Sequence, residues 1–147
     1  MIQQGPASQN SSMLAYGLEG ATNPTSHLYV VNNTFVNDRG SGTAVVVGGS
    51  VTTPVVARSN VSTGSTTFVG QAGAVLGTNC VVANPLFVDR AQYDHHLQAG
   101  SPCVDAGAAP GSGDGRDLTP VQQYVHPLGH APRTVGGAAP DAGAFER

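Results

Sequence analysis

The length of its apolar runs is the feature that most limits the fold of this chain. Runs rich in valine, threonine and aromatic residues are separated by Gly, Asn, Ser or Pro, and they occupy residues 13–16, 28–36, 43–47, 54–62, 66–69 and 74–76. Short β-branched runs bounded by turn residues are typical of strands. Because no helical segment of about ten residues lies between them, the pattern favours an all-β coil or sandwich over a β-α-β sheet.

A repeated asparagine favours the coil. Aligning residues 31–36 with residues 58–63 superposes Asn33 on Asn60, 27 positions further along. A repeat of this length is typical of stacked supersecondary units. In a parallel coil, an Asn at such a corner bonds to its counterpart in the next turn and forms a ladder. The alternative is that both residues are ordinary turn residues of a β-sandwich, and a single repeat does not separate the two folds.

The composition limits the partners of this chain. Its 147 residues suffice for one domain with a core, and we expect a single domain over residues 1–147. Only 10% of the residues are charged, the net charge is −3, and no basic stripe is present, so we expect no nucleic-acid partner. No apolar run approaches the roughly 18 residues of a membrane span, and residues 1–6 lack the features of a signal peptide. We therefore expect no membrane segment and no export signal in this chain.

The two cysteines, Cys80 and Cys103, lie in no recognised motif. Neither belongs to a Cys-x-x-Cys pair, and neither is close to a His in the sequence. We interpret them as two small buried apolar side chains, with a single disulfide or a reactive thiol as the alternatives.

Four separated motifs carry a resemblance to a known family. They are Asn-Asn-Thr-Phe at 32–35, Asn-Pro-Leu-Phe-Val-Asp at 84–89, the segment 93–107 with its Gly-Ser-Pro, and Asp-Ala-Gly-Ala-Phe-Glu at 141–146. In this order, over residues 28 to 147, the chain resembles the C-terminal part of right-handed parallel β-helix proteins of the pectate-lyase-like superfamily. The resemblance implies an all-β, right-handed parallel β-helix, with coils over about 1–83 and a closing strand and irregular C-terminal tail over about 84–147. It also implies a carbohydrate-associated parent protein that is secreted or on the cell surface.

The same resemblance implies structural roles for most of the closing segment. Gly100 and Gly107 suit turns that need positive φ, and Asp105 is placed to bond nearby backbone N–H groups. His96 fits the family pattern of an aromatic residue followed by His or Arg before the Leu, whereas His95 departs from it.

Proteins of this superfamily have more coils than this chain, so it resembles an N-terminally truncated β-helix. A truncated coil exposes unpaired strand edges at its open end. We therefore expect a homo-oligomer that forms through that N-terminal end.

A complete polysaccharide-cleaving site is not evident in the sequence. Enzymes of this superfamily place carboxylates with Arg or Lys on one sheet, but here only Asp38, Arg39 and Arg58 lie near the coil strands. We interpret Asp38 and Arg58 as a solvated turn pair. The predicted function is accordingly a structural or glycan-binding fragment of a carbohydrate-associated protein, with polysaccharide as its ligand and no complete active site of its own.

The histidines suggest a second function. Strand alternation places Asp94 and His96 on one side and His95 on the other, while His126 and His130 flank a loop. Asp94, His96, His126 and His130 are types that bind zinc, and an open position could activate water. The alternative function is thus a small metal-dependent hydrolase of esters or phosphoesters, whose site could be shared between subunits. Against it, no His-Glu-x-x-His motif is present, and histidines bonded at the surface explain the same residues.

Overall fold

The protein is almost entirely β-structure in a computed structural model that describes residues 1–147. Ten strands pair in parallel. They are β1 (Ile2–Gln4), β2 (Ser12–Tyr16), β3 (Tyr29–Val31), β4 (Thr34–Asn37), β5 (Thr43–Val47), β6 (Val56–Arg58), β7 (Val61–Thr63), β8 (Thr67–Gly70), β9 (Val75–Gly77) and β10 (Cys80–Val81). No helix in the structure is both long enough and apolar enough to span a bilayer.

The parallel strands form three sheets that the chain visits in a fixed order. Sheet 1 is β1-β4-β7-β10, sheet 2 is β2-β5-β8 and sheet 3 is β3-β6-β9. In sheet 1, Thr34 lies opposite Val61, and Val61 lies opposite Cys80 in the next strand. Each pass through the three sheets therefore stacks on the previous one, an arrangement compatible with a β-helix.

A left-handed residue turns the chain from sheet 3 into sheet 1 in every pass. Asn32, Ser59 and Thr78 have φ values of 51°, 54° and 47°, and each directly precedes an Asn. Left-handed backbone is uncommon outside glycine, so its recurrence at equivalent positions identifies one repeated corner. The predicted runs 28–36 and 54–62 consequently each contain two strands rather than one.

The Asn that follows each corner belongs to a ladder. The amide oxygen of Asn60 accepts from the backbone N–H of Asn33 at 2.9 Å, and that of Asn79 accepts from the backbone N–H of Asn60 at 3.0 Å. The amide nitrogen of Asn60 donates to the carbonyl of Val30 and to the amide oxygen of Asn79, both at 2.8 Å. The predicted stacking of Asn33 on Asn60 is confirmed, and the ladder extends one turn further.

Two apolar cores lie on opposite faces of sheet 1. The first fills the inside of the coil, where the rings of Phe35 and Phe68 meet edge to face at 6.0 Å. The second lies outside the coil, between sheet 1 and the C-terminal segment, and consists of Val36, Val61, Cys80, Phe87, Leu97, Cys103 and Ala142. Sheet 1 is therefore covered on both faces, and all residues of β4 and β7 are buried.

The second core contains a disulfide between Cys80 and Cys103. The interpretation of the cysteines as two free apolar side chains is wrong. Their sequence separation of 23 gave no indication of proximity, because the chain leaves β10 and returns over the outer face of sheet 1 before it reaches Cys103.

The segment after the coil is more regular than the predicted irregular tail. It contains three antiparallel pairs: β11 (Phe87–Asp89) with β12 (Asp94–Leu97), β13 (Ser112–Gly113) with β14 (Arg116–Asp117), and β15 (Gln122–Val125) with β16 (Gly129–Pro132). A 3-10 turn at Arg90–Gln92 connects β11 to β12.

The last residues pack back against the coil, and residues 141–146 are all buried. The backbone N–H of Gly143 donates to the carbonyl of Ser59 at 2.7 Å, and that of Ala144 donates to the hydroxyl of Thr34 at 3.0 Å. Glu146 forms an ion pair with Arg133 at 2.5 Å, with both side chains at least 95% buried. The first two contacts attach the end of the chain to β4 and to the corner before β7, and the ion pair attaches it to the segment that follows β16.

Two glycines expected to need positive φ do not adopt it. The backbone φ angles of Gly100 and Gly107 lie outside the left-handed region. Asp105, in contrast, is left-handed, with φ 53°. Gly107 is needed for space instead, since a Cβ there would lie 2.7 Å from the carbonyl oxygen of Pro140. The predicted role of Asp105 is confirmed, because its carboxylate accepts from the backbone N–H of Ala139 at 3.0 Å.

Candidate functional site

A polar cleft opens where the first two turns of sheet 1 meet the closing segment. Its volume is about 370 Å³, and its walls are Gln3, Asp38, Arg90, Ala91 and Tyr93. Small-molecule sites of this size usually have mainly apolar walls with a few converging polar groups, whereas polar side chains predominate in the walls of this open cleft.

Asp38 is the centre of the polar wall. Its carboxylate accepts a hydrogen bond from the side-chain amide of Gln3 at 2.7 Å and forms an ion pair with Arg90. The backbone N–H of Asp38 donates to the carbonyl of Gln4 at 2.8 Å, which fixes the residue at the end of β4. The side chains of Asp38 and Arg90 stay 24% and 38% exposed, so both are accessible to a ligand.

The 3-10 turn positions the other side of the cleft. The carboxylate of Asp89 accepts from the backbone N–H of Gln92 at 3.2 Å and so caps the turn. Tyr93 ends the turn in the left-handed conformation with φ 62°. Its ring stacks on that of His126, with centroids 5.1 Å apart and planes 16° apart, and Tyr93 remains 50% exposed. The ring is thus held in place while part of it faces solvent.

The stack continues away from the cleft as a cluster of rings. Tyr124 lies edge-on to both His126 and Phe145, with centroids 6.2 Å apart in each pair. Phe145 in turn contacts His96 at 4.6 Å. The β15–β16 hairpin and the end of the chain therefore support the position of Tyr93 from behind.

Asp94 and His96 lie on the same side of β12, as alternation predicts, and they bond to each other. The Nδ1 of His96 donates to the Asp94 carboxylate at 2.6 Å, and the His96 backbone N–H donates to the same oxygen at 3.1 Å. Burial acts to raise the pKa of Asp94, but these hydrogen bonds from His96 outweigh it and lower the pKa.

The other two predicted metal ligands also have partners of their own. The Nδ1 of His126 donates to the hydroxyl oxygen of Tyr124 at 3.0 Å, and the Nδ1 of His130 lies against the side-chain oxygen of Gln122. No group of three or more His, Cys, Asp or Glu side chains is arranged to hold a metal ion. The structure therefore gives no support to a zinc site at Asp94, His96, His126 and His130.

His95 points to the opposite side of β12 and is fully buried. Its Nδ1 donates to the carbonyl of Tyr93 at 3.0 Å, and its ring lies edge-on to Phe87 at 4.9 Å. Burial lowers the pKa of His95, although its bond to the Tyr93 carbonyl acts in the opposite direction. Its Nε2 is buried without a hydrogen-bond partner. His95 is thus a fully buried imidazole next to the 3-10 turn, and its burial disfavours the charged form.

The interpretation of Asp38 and Arg58 as a pair is wrong. Arg58 donates instead to the backbone carbonyl of Pro110 in the C-terminal segment. The partner of Asp38 is Arg90, 52 residues further along the sequence. No local pattern in the sequence could have identified Arg90, because the contact exists only once the closing segment has folded onto sheet 1.

A second cavity of about 240 Å³ lies between the corner at Asn32 and the C-terminal segment, with walls mainly of Ala, Pro and Val. Arg133 is the charged residue in its wall, but its guanidinium already donates to the carbonyls of Gly143 and Asp141. The Asp38 cleft therefore has more accessible polar groups for a polar ligand.

Comparison of the chain with protein-family models, with curated proteins and with solved structures gives no match.

Proposed function

We propose that this chain is a glycan-binding or structural part of a right-handed parallel β-helix protein of the pectate-lyase-like superfamily. The three stacked sheets and the Asn ladder support the fold, and the four motifs at 32–35, 84–89, 93–107 and 141–146 support the family. Right-handed crossovers are strongly preferred between parallel strands of one sheet, which supports the handedness.

The Asp38 cleft is the observation that supports glycan binding. A sugar presents adjacent hydroxyls, each of which can donate and accept, and a ring face of C–H groups. The carboxylate of Asp38 and the guanidinium of Arg90 offer an acceptor and donors side by side, and their mutual contact keeps both in position. The half-exposed ring of Tyr93 offers an apolar face with a polar hydroxyl. The cleft thus matches both surfaces of a sugar.

The same cleft favours binding over cleavage by paired carboxylates. Most glycosidases hold the scissile bond between two carboxyl groups, one acting as acid and one as base or nucleophile. Asp38 is the one carboxylate in the walls of this cleft, and it is paired with Arg90. A bound sugar would therefore be oriented by Asp38 without a second carboxylate opposite it.

The disulfide supports the location proposed for the parent protein. A disulfide such as Cys80–Cys103 persists in oxidising surroundings and is rare in reducing ones. A secreted or cell-surface protein is the setting in which such a bond and a polysaccharide ligand occur together.

Binding of soluble acidic and neutral polysaccharides by isothermal titration calorimetry tests the proposal. We expect wild-type protein to bind at least one of them, Tyr93→Ala to weaken that binding at least tenfold, and Arg90→Ala to weaken it similarly. Arg116→Ala is the matched control, because Arg116 is exposed in β14 and lies outside the walls of the cleft. Circular dichroism of each variant shows whether it is folded.

Two outcomes would count against glycan binding at this cleft. The first is the absence of binding to every polysaccharide in a panel of both charge classes. The second is an equal affinity of the Tyr93→Ala, Arg90→Ala and Arg116→Ala variants for the polysaccharide. The ligand would then bind outside the cleft.

A further inference from the structure

The last turn of the coil ends in unpaired strand edges. β9 and β10 are the last strands of sheets 3 and 1, and each has a parallel neighbour on one side only. After β10 the chain covers the outer face of sheet 1, but it adds no strand to either edge. Backbone groups along residues 75–81 are therefore available to a further strand.

The Asn ladder also ends here without its next partner. The backbone N–H of Asn33 donates to the amide of Asn60, and that of Asn60 donates to the amide of Asn79. No group of the chain accepts from the backbone N–H of Asn79. The side-chain nitrogen of Asn79 donates to the carbonyl of Ala57, whose counterpart in the last turn is Leu76. One more Asn, placed above Asn79, would accept from its N–H and donate to the Leu76 carbonyl.

Apolar side chains beside this position are exposed although their counterparts one turn earlier are buried. Leu76 lies in register with the fully buried Ala57, yet it is 55% exposed. Val81 lies in register with the buried Ser62, yet it is 52% exposed. Together with Phe68 they line an open depression of about 260 Å³. A matching partner would therefore place apolar side chains over this depression.

The spacing that such a partner needs is present in the chain itself. The two exposed side chains lie three positions before and two positions after Asn79. Val30 and Phe35 hold the same places around Asn33, and both are buried. The residue directly before the Asn is left-handed in both turns. Both turns thus share the pattern apolar-x-x-Asn-x-apolar, where x is any residue.

We propose that this end of the coil binds an extended polypeptide segment with the same pattern, which adds one strand to β9 and one to β10. Recognition by strand addition takes its affinity from main-chain hydrogen bonds and its specificity from alternate side chains. Here the specificity comes from the Asn above Asn79 and from the two apolar residues above Leu76 and Val81. Neither β9 nor β10 contains a charged residue or a proline, which are the residues that commonly protect edge strands.

Fluorescence anisotropy of a labelled peptide tests the proposal, with the folded chain as the titrant. The probe is a synthetic peptide with the sequence of residues 27–37, which contains the pattern around Asn33. We expect saturable binding of one peptide per chain. Replacement of that Asn by Ala in the peptide should weaken binding about tenfold, because it removes both side-chain hydrogen bonds of the ladder. A peptide of the same composition in scrambled order should not bind.

Two substitutions in the protein locate the binding surface. Leu76→Asp places a charge in the depression and should weaken binding of the peptide at least about tenfold. Val81→Asp serves the same purpose if circular dichroism shows that Leu76→Asp does not fold. Val75→Asp is the matched control and should bind as wild type does. Val75 is 46% exposed in the same strand as Leu76, but its side chain points to the opposite face of the sheet.

Three results would overturn the proposal. The first is the absence of saturable binding of the peptide to folded wild-type protein. The second is an equal affinity for the Asn and Ala peptides, or an equal affinity of the Leu76→Asp and Val75→Asp variants, since binding would then involve neither the ladder nor the depression. The third is a two-chain species, above the 14.8 kDa of one chain, that Leu76→Asp abolishes and excess peptide does not. A second copy of the chain would then occupy this end.

Discussion

Replacement of Asn60 by Asp tests whether the ladder holds the turns of the coil together. Asn60 is fully buried, and its side-chain nitrogen donates to two oxygens, those of Val30 and Asn79, both at 2.8 Å. Aspartate has nearly the same shape and keeps the oxygen that accepts from Asn33. It places a second oxygen where the donor was, so the substitution changes the hydrogen bonds and leaves the packing almost unchanged.

The expected loss follows from the two donated hydrogen bonds. Leaving a buried acceptor without its donor costs roughly 1–3 kcal/mol, so two lost bonds correspond to about 4 kcal/mol at pH 7. Because the new carboxyl is buried against two other oxygens, its folded pKa should rise above the value of about 3.9 in unfolded chains. The protonated acid restores one donor. The loss of unfolding free energy relative to wild type should therefore be smallest below about pH 4 and should grow as the pH rises through the folded pKa of the new carboxyl.

Urea denaturation followed by far-UV circular dichroism measures this loss, since the chain has no tryptophan to report by fluorescence. The quantity to compare is the difference in the free energy of unfolding between variant and wild type at each pH. Asn84→Asp is the matched control, because the exposed Asn84 uses only its side-chain oxygen, which accepts from Leu86 at 3.0 Å. The ladder argument is refuted if Asn60→Asp unfolds with the wild-type free energy at pH 7, or if its deficit is independent of pH.

Three further outcomes follow from the closing segment. Reduction of the Cys80–Cys103 disulfide, or Cys103→Ser, should lower the free energy of unfolding by about 3 kcal/mol and the melting temperature by about 10 °C, from the entropy of the loop it closes. Arg133→Gln should cost about 3–5 kcal/mol, since it leaves the buried Glu146 without its cation. His95, whose pKa is lowered by burial, should make the protein less stable as the pH falls below about 6.5, and His95→Gln should remove that dependence between pH 7 and 5.

Each of these expectations has a distinct contrary result. An unchanged melting temperature after complete reduction, verified by thiol titration, would contradict the role of the disulfide. A cost below about 1 kcal/mol for Arg133→Gln would show that the ion pair is dispensable. An acid dependence that persists in the His95→Gln variant would assign it to other groups.

The repeating part of the fold could be predicted because its cause is local. The sequence match of residues 31–36 with residues 58–63 corresponds to a corner that is repeated in successive turns of the coil. Asn33 and Asn60 occupy equivalent positions in that corner. Asn79 was not predicted because the next turn is shorter: Asn79 follows Asn60 by 19 positions, whereas Asn60 follows Asn33 by 27. A turn of different length shifts the repeat without changing the hydrogen bonds that define it.

The site depended on contacts that a sequence pattern does not contain. Arg90 meets Asp38 across 52 residues, and Tyr93 is positioned by His126 from a later hairpin. The cysteines pair for the same reason, since their proximity results from the return of the chain over sheet 1. Predicting the His and Asp residues as metal ligands used their chemistry alone, and the structure shows that a neighbouring side chain already binds each of them.

Attachment of residues 141–146 to sheet 1 has a consequence for how the protein is made. The N–H of Ala144 bonds to Thr34, 110 residues earlier, and the amide of Asn32 bonds to the carbonyl of Asp141 across 109 residues. During translation the coil can form turn by turn, because each strand pairs with a recent neighbour. The segment with Phe87, Leu97 and Cys103 reaches the outer face of sheet 1 first, and the second core is complete only after residues 141–146 have been made. Docking of residues 141–146, rather than growth of the coil, is thus the step that completes the second core.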